Sequence, residues 1–239
     1  LDHSDPAGRK IKVFAREVRD LEPESCEKPW LLFLQGGPGF RGPLPIRKDG
    51  WLKRALQDYR VLMYDTRGNG LSTPVNFQTL AAEGDAQAQA DYLKHFRADN
   101  IVRDAEAIRD QLSPDEPWST IGQSYGGWCT MTYLSLHPEG LRECFVFGGV
   151  PGLERTAREI YEGTFPLVEE RNRQYFAKFP VDKQRLTHLC QHLKQHDVRL
   201  PNGDRLTPRR LQLIGISLGF ANTAEEIHFL IEEAFVKVG

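Results

Sequence analysis

Apolar and polar residues alternate from Ile11 to Val18, the period of a strand with one buried face. Trp30–Leu34 is apolar at every position, which predicts a strand covered on both sides, and it runs into Gly36-Gly37-Pro38-Gly39. A short helix is expected around Trp51–Leu56. Arg60–Tyr64 then gives another apolar strand that ends at Asp65-Thr66-Arg67-Gly68-Asn69-Gly70, so the strand-then-glycine pattern repeats. Residues Ala81 to Ala98 are polar and rich in Ala and Gln. Beyond them Ile101, Ala105, Ile108 and Leu112 recur at helical spacing, predicting a helix over Asn100–Leu112 that stops at Ser113-Pro114. Trp118–Ile121 reads as a strand, Gly122–Gly127 as a tight turn, Trp128–Leu136 as a helix closed by His137-Pro138, and Cys144–Phe147 as the next strand. Strands alternating with helices imply a mostly parallel sheet with helices on both faces, an α/β fold.

From Gly152 the texture changes to long, charge-rich helical stretches without a convincing strand, interrupted by the turn Leu200-Pro201-Asn202-Gly203-Asp204. The expected organisation is a core over residues 1–151 followed by a helical cap over residues 152–239.

The 239 residues are 40% hydrophobic, enough to bury a sizeable core. A formal charge of −2 with scattered Lys and Arg argues against nucleic acid or an anionic membrane as partner and favours a small-molecule or peptide substrate. Cys26, Cys129, Cys144 and Cys190 show no C-x-x-C pair, so free thiols in a reducing compartment are expected rather than a disulfide framework or zinc site. Leu1-Asp2-His3-Ser4-Asp5-Pro6 carries neither the basic nor the apolar region of a secretion signal, and no run approaches the length of a membrane span. The expected location is therefore cytoplasmic. Oligomeric state is not readable from the sequence.

The sharpest chemical signal is Gly122-Gln123-Ser124-Tyr125-Gly126-Gly127, a G-x-S-x-G between a strand and a helix. In a nucleophile elbow the serine takes a strained backbone on a sharp turn and its hydroxyl projects at the carboxyl edge of the sheet, with the following helix N-terminus aimed at the developing negative charge. A glycine-rich turn with a structural serine is the competing interpretation; the strand before and the helix after favour Ser124 as nucleophile. Gly36–Gly39, at the end of an earlier strand, lies where such an enzyme places its second oxyanion donor. The expected pair of N–H donors is Tyr125 and Gly37, since Pro38 has none. Asp65 and Arg67 are expected to hold neighbouring loops by charge-assisted hydrogen bonds rather than to do chemistry. His188, His192 and His196 recur at i and i+4, but without a matching cysteine or carboxylate they read as a solvated helix face rather than metal ligands.

Q-G-G-P-G at Gln35–Gly39, D-T-R-G-N-G-L-S at Asp65–Ser72 and G-Q-S-Y-G-G at Gly122–Gly127, in that order, resemble the proline iminopeptidase family of α/β-hydrolases. The likeness extends to Leu1–Pro6 and to His137–Arg142, and is strongest to the subgroup with a larger helical cap. It implies an α/β-hydrolase fold, removal of an N-terminal proline from peptides through Ser124, and no metal or other cofactor. It also implies cap glutamates that meet the substrate's amine, for which Glu225 and Glu232 are the candidates, next to the apolar pattern of Ile227, Phe229, Leu230, Ile231 and Phe235. A solvated helix face competes with this for each glutamate. Gln35 stands where many relatives have His.

In this fold the acid and histidine of the triad follow the nucleophile on loops after late strands. His137, His188, His192, His196 and His228 all lie in helical or cap-like surroundings. The expectation is that the C-terminal part of the core, with both triad partners, lies outside these residues. Two other readings stay open: an esterase or other acyl hydrolase of the same fold, and a non-catalytic scaffold that lost its triad.

Overall fold

The structure, a computed structural model, describes residues 1–150, 152–221 and 223–236. The chain divides into two compact units, Leu1–Gly152 and Leu153–Gly239.

The first unit is built on a five-stranded sheet of β1 (Phe14–Val18), β2 (Trp30–Leu34), β3 (Arg60–Asp65), β4 (Trp118–Gln123) and β5 (Leu141–Phe147), in the order β1-β3-β2-β4-β5. β1 is antiparallel to β3, whereas β3, β2, β4 and β5 run parallel. The connections carry α1 (Gly50–Asp58), α2 (Phe77–Ala81), α3 (Ala86–Leu93), α4 (Ala98–Leu112) and α5 (Tyr125–Leu136). Because successive side chains of a strand point to opposite faces, the wholly apolar β2 feeds two cores. Trp30, Leu32 and Leu34 pack with Leu62, Tyr64 and Trp118, with Ile101, Val102 and Ala105 of α4, and with Cys129 and Tyr133 of α5. Leu31 and Phe33 face the other way, onto Val61, Met63 and Leu52, Ala55 and Leu56 of α1. All five residues of β2 are buried, as a central parallel strand requires.

The strands read from the pattern are present, with shifted ends. β1 starts at Phe14, since Lys12 is occupied by Thr73, donating its N–H to Oγ1 and accepting from Thr73 N–H. β5 begins three residues before Cys144, because pairing with β4 continues through the polar Arg142 and Glu143. The helix after Ser124 starts at Tyr125 rather than Trp128, with Gly126 and Gly127 in its first turn. In the aperiodic stretch 81–98, α3 forms on local chemistry: the Asp85 carboxylate accepts from Ala88 N–H at 2.9 Å and caps it.

The second unit is helical: α6 (Ala157–Lys178), α7 (Pro180–Gln195), α8 (Pro208–Leu211), a 3₁₀ segment over Gln212–Gly219, and α9 (Ala224–Glu233). Thr156 and Glu159 form a capping box at the start of α6. Its small core is Tyr175, Ile227 and Ile231, bordered by Phe176, Phe179, Leu186, Ile214 and Leu218. Among the described residues, no helix is long and apolar enough to cross a membrane.

Candidate active site

Ser124 sits at the junction of β4 and α5 with φ 54° and ψ −119°. Among the described residues it is the one non-glycine residue with positive φ. A backbone of this kind costs on the order of 1–3 kcal/mol and persists only where its surroundings impose it. They do so here from three sides. Ser124 N–H donates to Phe147 O at 2.8 Å, and Ser124 O accepts from Gly127 N–H at 2.9 Å. Behind the serine, a Cβ on Gly149 would lie 2.0 Å from Ser124 O, so only glycine fits. In front, a Cβ on Gly36 would lie 2.9 Å from Ser124 Cβ and 2.6 Å from Gln123 Oε1. The residue is half-buried, and among the described residues its hydroxyl forms no hydrogen bond.

The loop after β2 therefore lies directly against the serine. Gly36 N–H donates to the Gln35 carboxamide Oε1 at 3.1 Å. Gly37, next along, has φ 121° and its N–H is unclaimed among the described residues. Tyr125 supplies the first N–H of α5, where the unpaired amides of a helix N-terminus favour negative charge. Its ring packs on the core, and burial raises the phenol's pKa. Cys129, one turn further on, is buried and its thiol is pushed up to about 12, so it stays protonated and unreactive at neutral pH.

Asp65 and Arg67 bind the surrounding loops. The Asp65 carboxylate accepts from Gly42 N–H at 2.7 Å and Leu71 N–H at 2.8 Å, tying the loop after β2 to the loop after β3. Arg67 makes a bidentate pair with Asp104 of α4, at 2.7 and 2.6 Å, and donates to Leu1 O and His95 O. His3 Nε2 lies 2.8 Å from the same Asp104. Asp104 was hidden in the sequence, one of several charges on a helix; its signal is burial at a position flanked by Ile101 and Ala105. Phe147 and Gly149 also escaped the sequence reading, although Gly148-Gly149 repeats the strand-then-glycine pattern of the other two loops.

Glu225 and Glu232 lie on α9 in the second unit, and both meet cations there. Glu225 forms an ion pair with Lys178, whose hydrogen bond holds the Glu225 carboxyl below the ordinary range. Glu232 Oε2 stands 3.6 Å from Arg185 Nη1 and 3.7 Å from His228 Nε2. His228 Nδ1 in turn lies 2.8 Å from Asp182, a fully buried carboxylate that also accepts from Tyr175 Oη at 2.6 Å and Arg185 at 3.3 Å. Among the described residues no group of three or more His, Cys, Asp or Glu is arranged to hold a metal ion.

A mostly parallel sheet whose strand–turn–helix junction forces a serine into positive φ, with a glycine loop from the neighbouring strand pressed against it, is a hydrolase architecture. The family model described as alpha/beta hydrolase fold matches residues 29–219, and the chain belongs to that family. Among curated relatives, a proline iminopeptidase from Aeromonas sobria is 51% identical over 99% of this chain and 56% of its own length. Proline iminopeptidase aneH from Aspergillus aculeatus is 39% identical over 97% of this chain and 53% of its own length. The chain thus spans about half the length of these curated relatives.

Proposed function

We propose that this chain carries the nucleophile and oxyanion hole of a serine aminopeptidase that removes an N-terminal proline from peptides. Ser124 Oγ attacks the prolyl carbonyl, its proton passes to a histidine base, and the C–N bond breaks as that proton is returned to the leaving amine. Water then hydrolyses the prolyl ester. The N–H groups of Gly37 and Tyr125 receive the developing oxyanion. The observation that carries this reading is the positive φ of Ser124 with Gly36 packed on its Cβ. The substrate assignment is supported by relatives of that name over nearly all of the chain.

The acid and the histidine are assigned to polypeptide outside residues 1–239. Support comes from the chain order of this fold's triad and from β5, which among the described residues pairs on one side only, with β4. Phe145 and Phe147 of β5 are 40% and 56% exposed, a surface that an inner parallel strand would have covered. For the prolyl ammonium, Glu232 is the better of the two glutamates, because Glu225 is already hydrogen-bonded to Lys178. A cytoplasmic setting is supported by the four free cysteines.

The test is hydrolysis of proline arylamide by the natural full-length protein, beside its N-acetylated counterpart and a simple aryl ester. Release from the free-amine arylamide, lost in Ser124→Ala and strongly reduced on acetylation, is expected. Equal turnover of the acetylated compound would replace the aminopeptidase by an acyl hydrolase. Turnover surviving Ser124→Ala would remove the serine mechanism.

A further inference from the structure

The loop over residues 35–42 has to hold one N–H at a fixed place beside Ser124, yet its own hydrogen bonding is sparse. Among the described residues only two of its N–H groups have acceptors, and both acceptors are side chains. At the far end Gly42 N–H is held by Asp65. At the near end Gly36 N–H is held by Gln35 Oε1. Gln35 itself follows Leu34, whose strand is paired through Leu34–Gly122 to the strand that bears the nucleophile. Gln35 as a residue is half-buried.

Resting on the assignment of Ser124 as nucleophile, we propose that the Gln35 carboxamide is a positioning residue of the oxyanion hole. By engaging Gly36 N–H it fixes the peptide plane between Gln35 and Gly36 and leaves the next N–H, that of Gly37, as the free donor for the acyl oxygen. The close fit of Gly36 on Ser124 makes this fixation effective, because the loop cannot rotate there without moving against Ser124 Cβ or Gln123. A neutral acceptor suits the task. A carboxylate would hold the same N–H but would add negative charge beside a developing oxyanion.

The experiment compares Gln35→Met, which keeps length and removes the acceptor, with Gln35→Glu, which keeps an acceptor oxygen. Each is measured in the full-length protein with a small activated ester and its thiono counterpart, whose C=S accepts hydrogen bonds poorly and fits an oxyanion hole badly. Only acylation of Ser124 is needed, so the assay is independent of proline recognition. Q35M is expected to lower kcat for the oxygen ester roughly tenfold to a hundredfold with KM changed less than about twofold. Its preference for oxygen over sulfur should fall at least about fivefold, and the Gly36 amide should exchange faster with solvent. Q35E should keep the wild-type oxygen preference whatever its kcat. A wild-type oxygen preference in Q35M, or equal loss of it in Q35E, would overturn the inference while leaving the serine mechanism intact. Absence of Ser124-dependent acylation in the wild-type protein would remove both.

Discussion

Gly126→Ala reverses the ordinary expectation for a glycine in a helix. In the first turn of α5, exchanging Gly for Ala should favour the helix by up to about 1 kcal/mol. At this position, however, the added Cβ would lie 1.8 Å from Leu34 O and 2.6 Å from Leu34 C. Neither partner can yield cheaply: Leu34 ends a strand paired on both sides, and α5 is seated by Cys129 and Tyr133 in the core. Overpacking of this kind costs about 1–3 kcal/mol, and more where rigid backbone is the obstacle. The steric cost exceeds the helical gain, and a net loss on the order of 2 kcal/mol is expected. Trp30, Trp51, Trp118 and Trp128 all lie in the first unit, so tryptophan fluorescence in urea reads the right part of the molecule. With an m-value of about 2 kcal/mol/M the midpoint should fall by roughly 1 M. Gly163→Ala, in α6 with nothing within 4 Å of the added Cβ, is the counterpart and should stabilise the second unit by up to about 1 kcal/mol in far-UV circular dichroism. A G126A midpoint at or above wild type would refute the close seating of α5 on β2.

Arg67→Met leaves the Asp104 carboxylate buried with His3 and Tyr64 as its remaining hydrogen-bond partners among the described residues, and should cost about 3 kcal/mol in thermal unfolding. Adding Asp104→Leu should return much of that loss, and failure to do so would show that the pair is not the source. Asp182→Asn tests the buried network of the second unit through pH. Burial alone would raise the Asp182 pKa, but hydrogen bonds from Tyr175 and His228 and the nearby charges outweigh it and the group is lowered. A depressed native pKa means that the stabilisation is present above the unfolded value of about 4 and is lost as pH falls through the lower native value. Wild-type stability, followed by circular dichroism, should therefore decline on acidification below about pH 4 more steeply than that of D182N. Parallel acid limbs would exclude Asp182 as a contributor.

The solid apolar run Trp30–Leu34 was legible as a buried strand because a central parallel strand needs apolar residues on both faces, and residue type alone expresses that need. The turn at Ser124 was legible for a related reason: the glycines flanking it are required by geometry close in sequence. α3 was not, since its stability starts from a capping hydrogen bond at Asp85 and not from an apolar stripe. The pairing of Asp104 with Arg67, and of Asp182 with Tyr175 and His228, was also beyond sequence reading. A buried charge is recognisable only by its partner, and these partners lie 37, 7 and 46 residues away. The glutamates of α9 show the opposite difficulty. Their spacing against an apolar pattern was plain, whereas the cations that meet them, Lys178 and Arg185, come from α6 and α7.

What holds Ser124 in its strained turn is therefore only partly written in G-x-S-x-G. That motif secures the turn itself, but the strained φ is sustained by neighbours in space: Phe147 O and Gly149 from the end of β5, and Gly36 from the end of β2. The parallel order β3-β2-β4-β5 brings the carboxyl ends of these strands to one edge of the sheet, where α/β proteins gather their functional loops. Two of these loops carry a glycine that close backbone approach demands: a Cβ on Gly36 would lie 2.8 Å from Gln123 O, and one on Gly149 would lie 2.0 Å from Ser124 O. The proposed oxyanion donors would draw on the same crowding, since Gly37 follows the Gly36 that packs on Ser124 Cβ and Tyr125 opens α5 directly after the serine. On this reasoning the serine's strain and the proposed oxyanion hole would be one construction, and any substitution that relaxes the first, at Gly149 as much as at Gly36, should misplace the second.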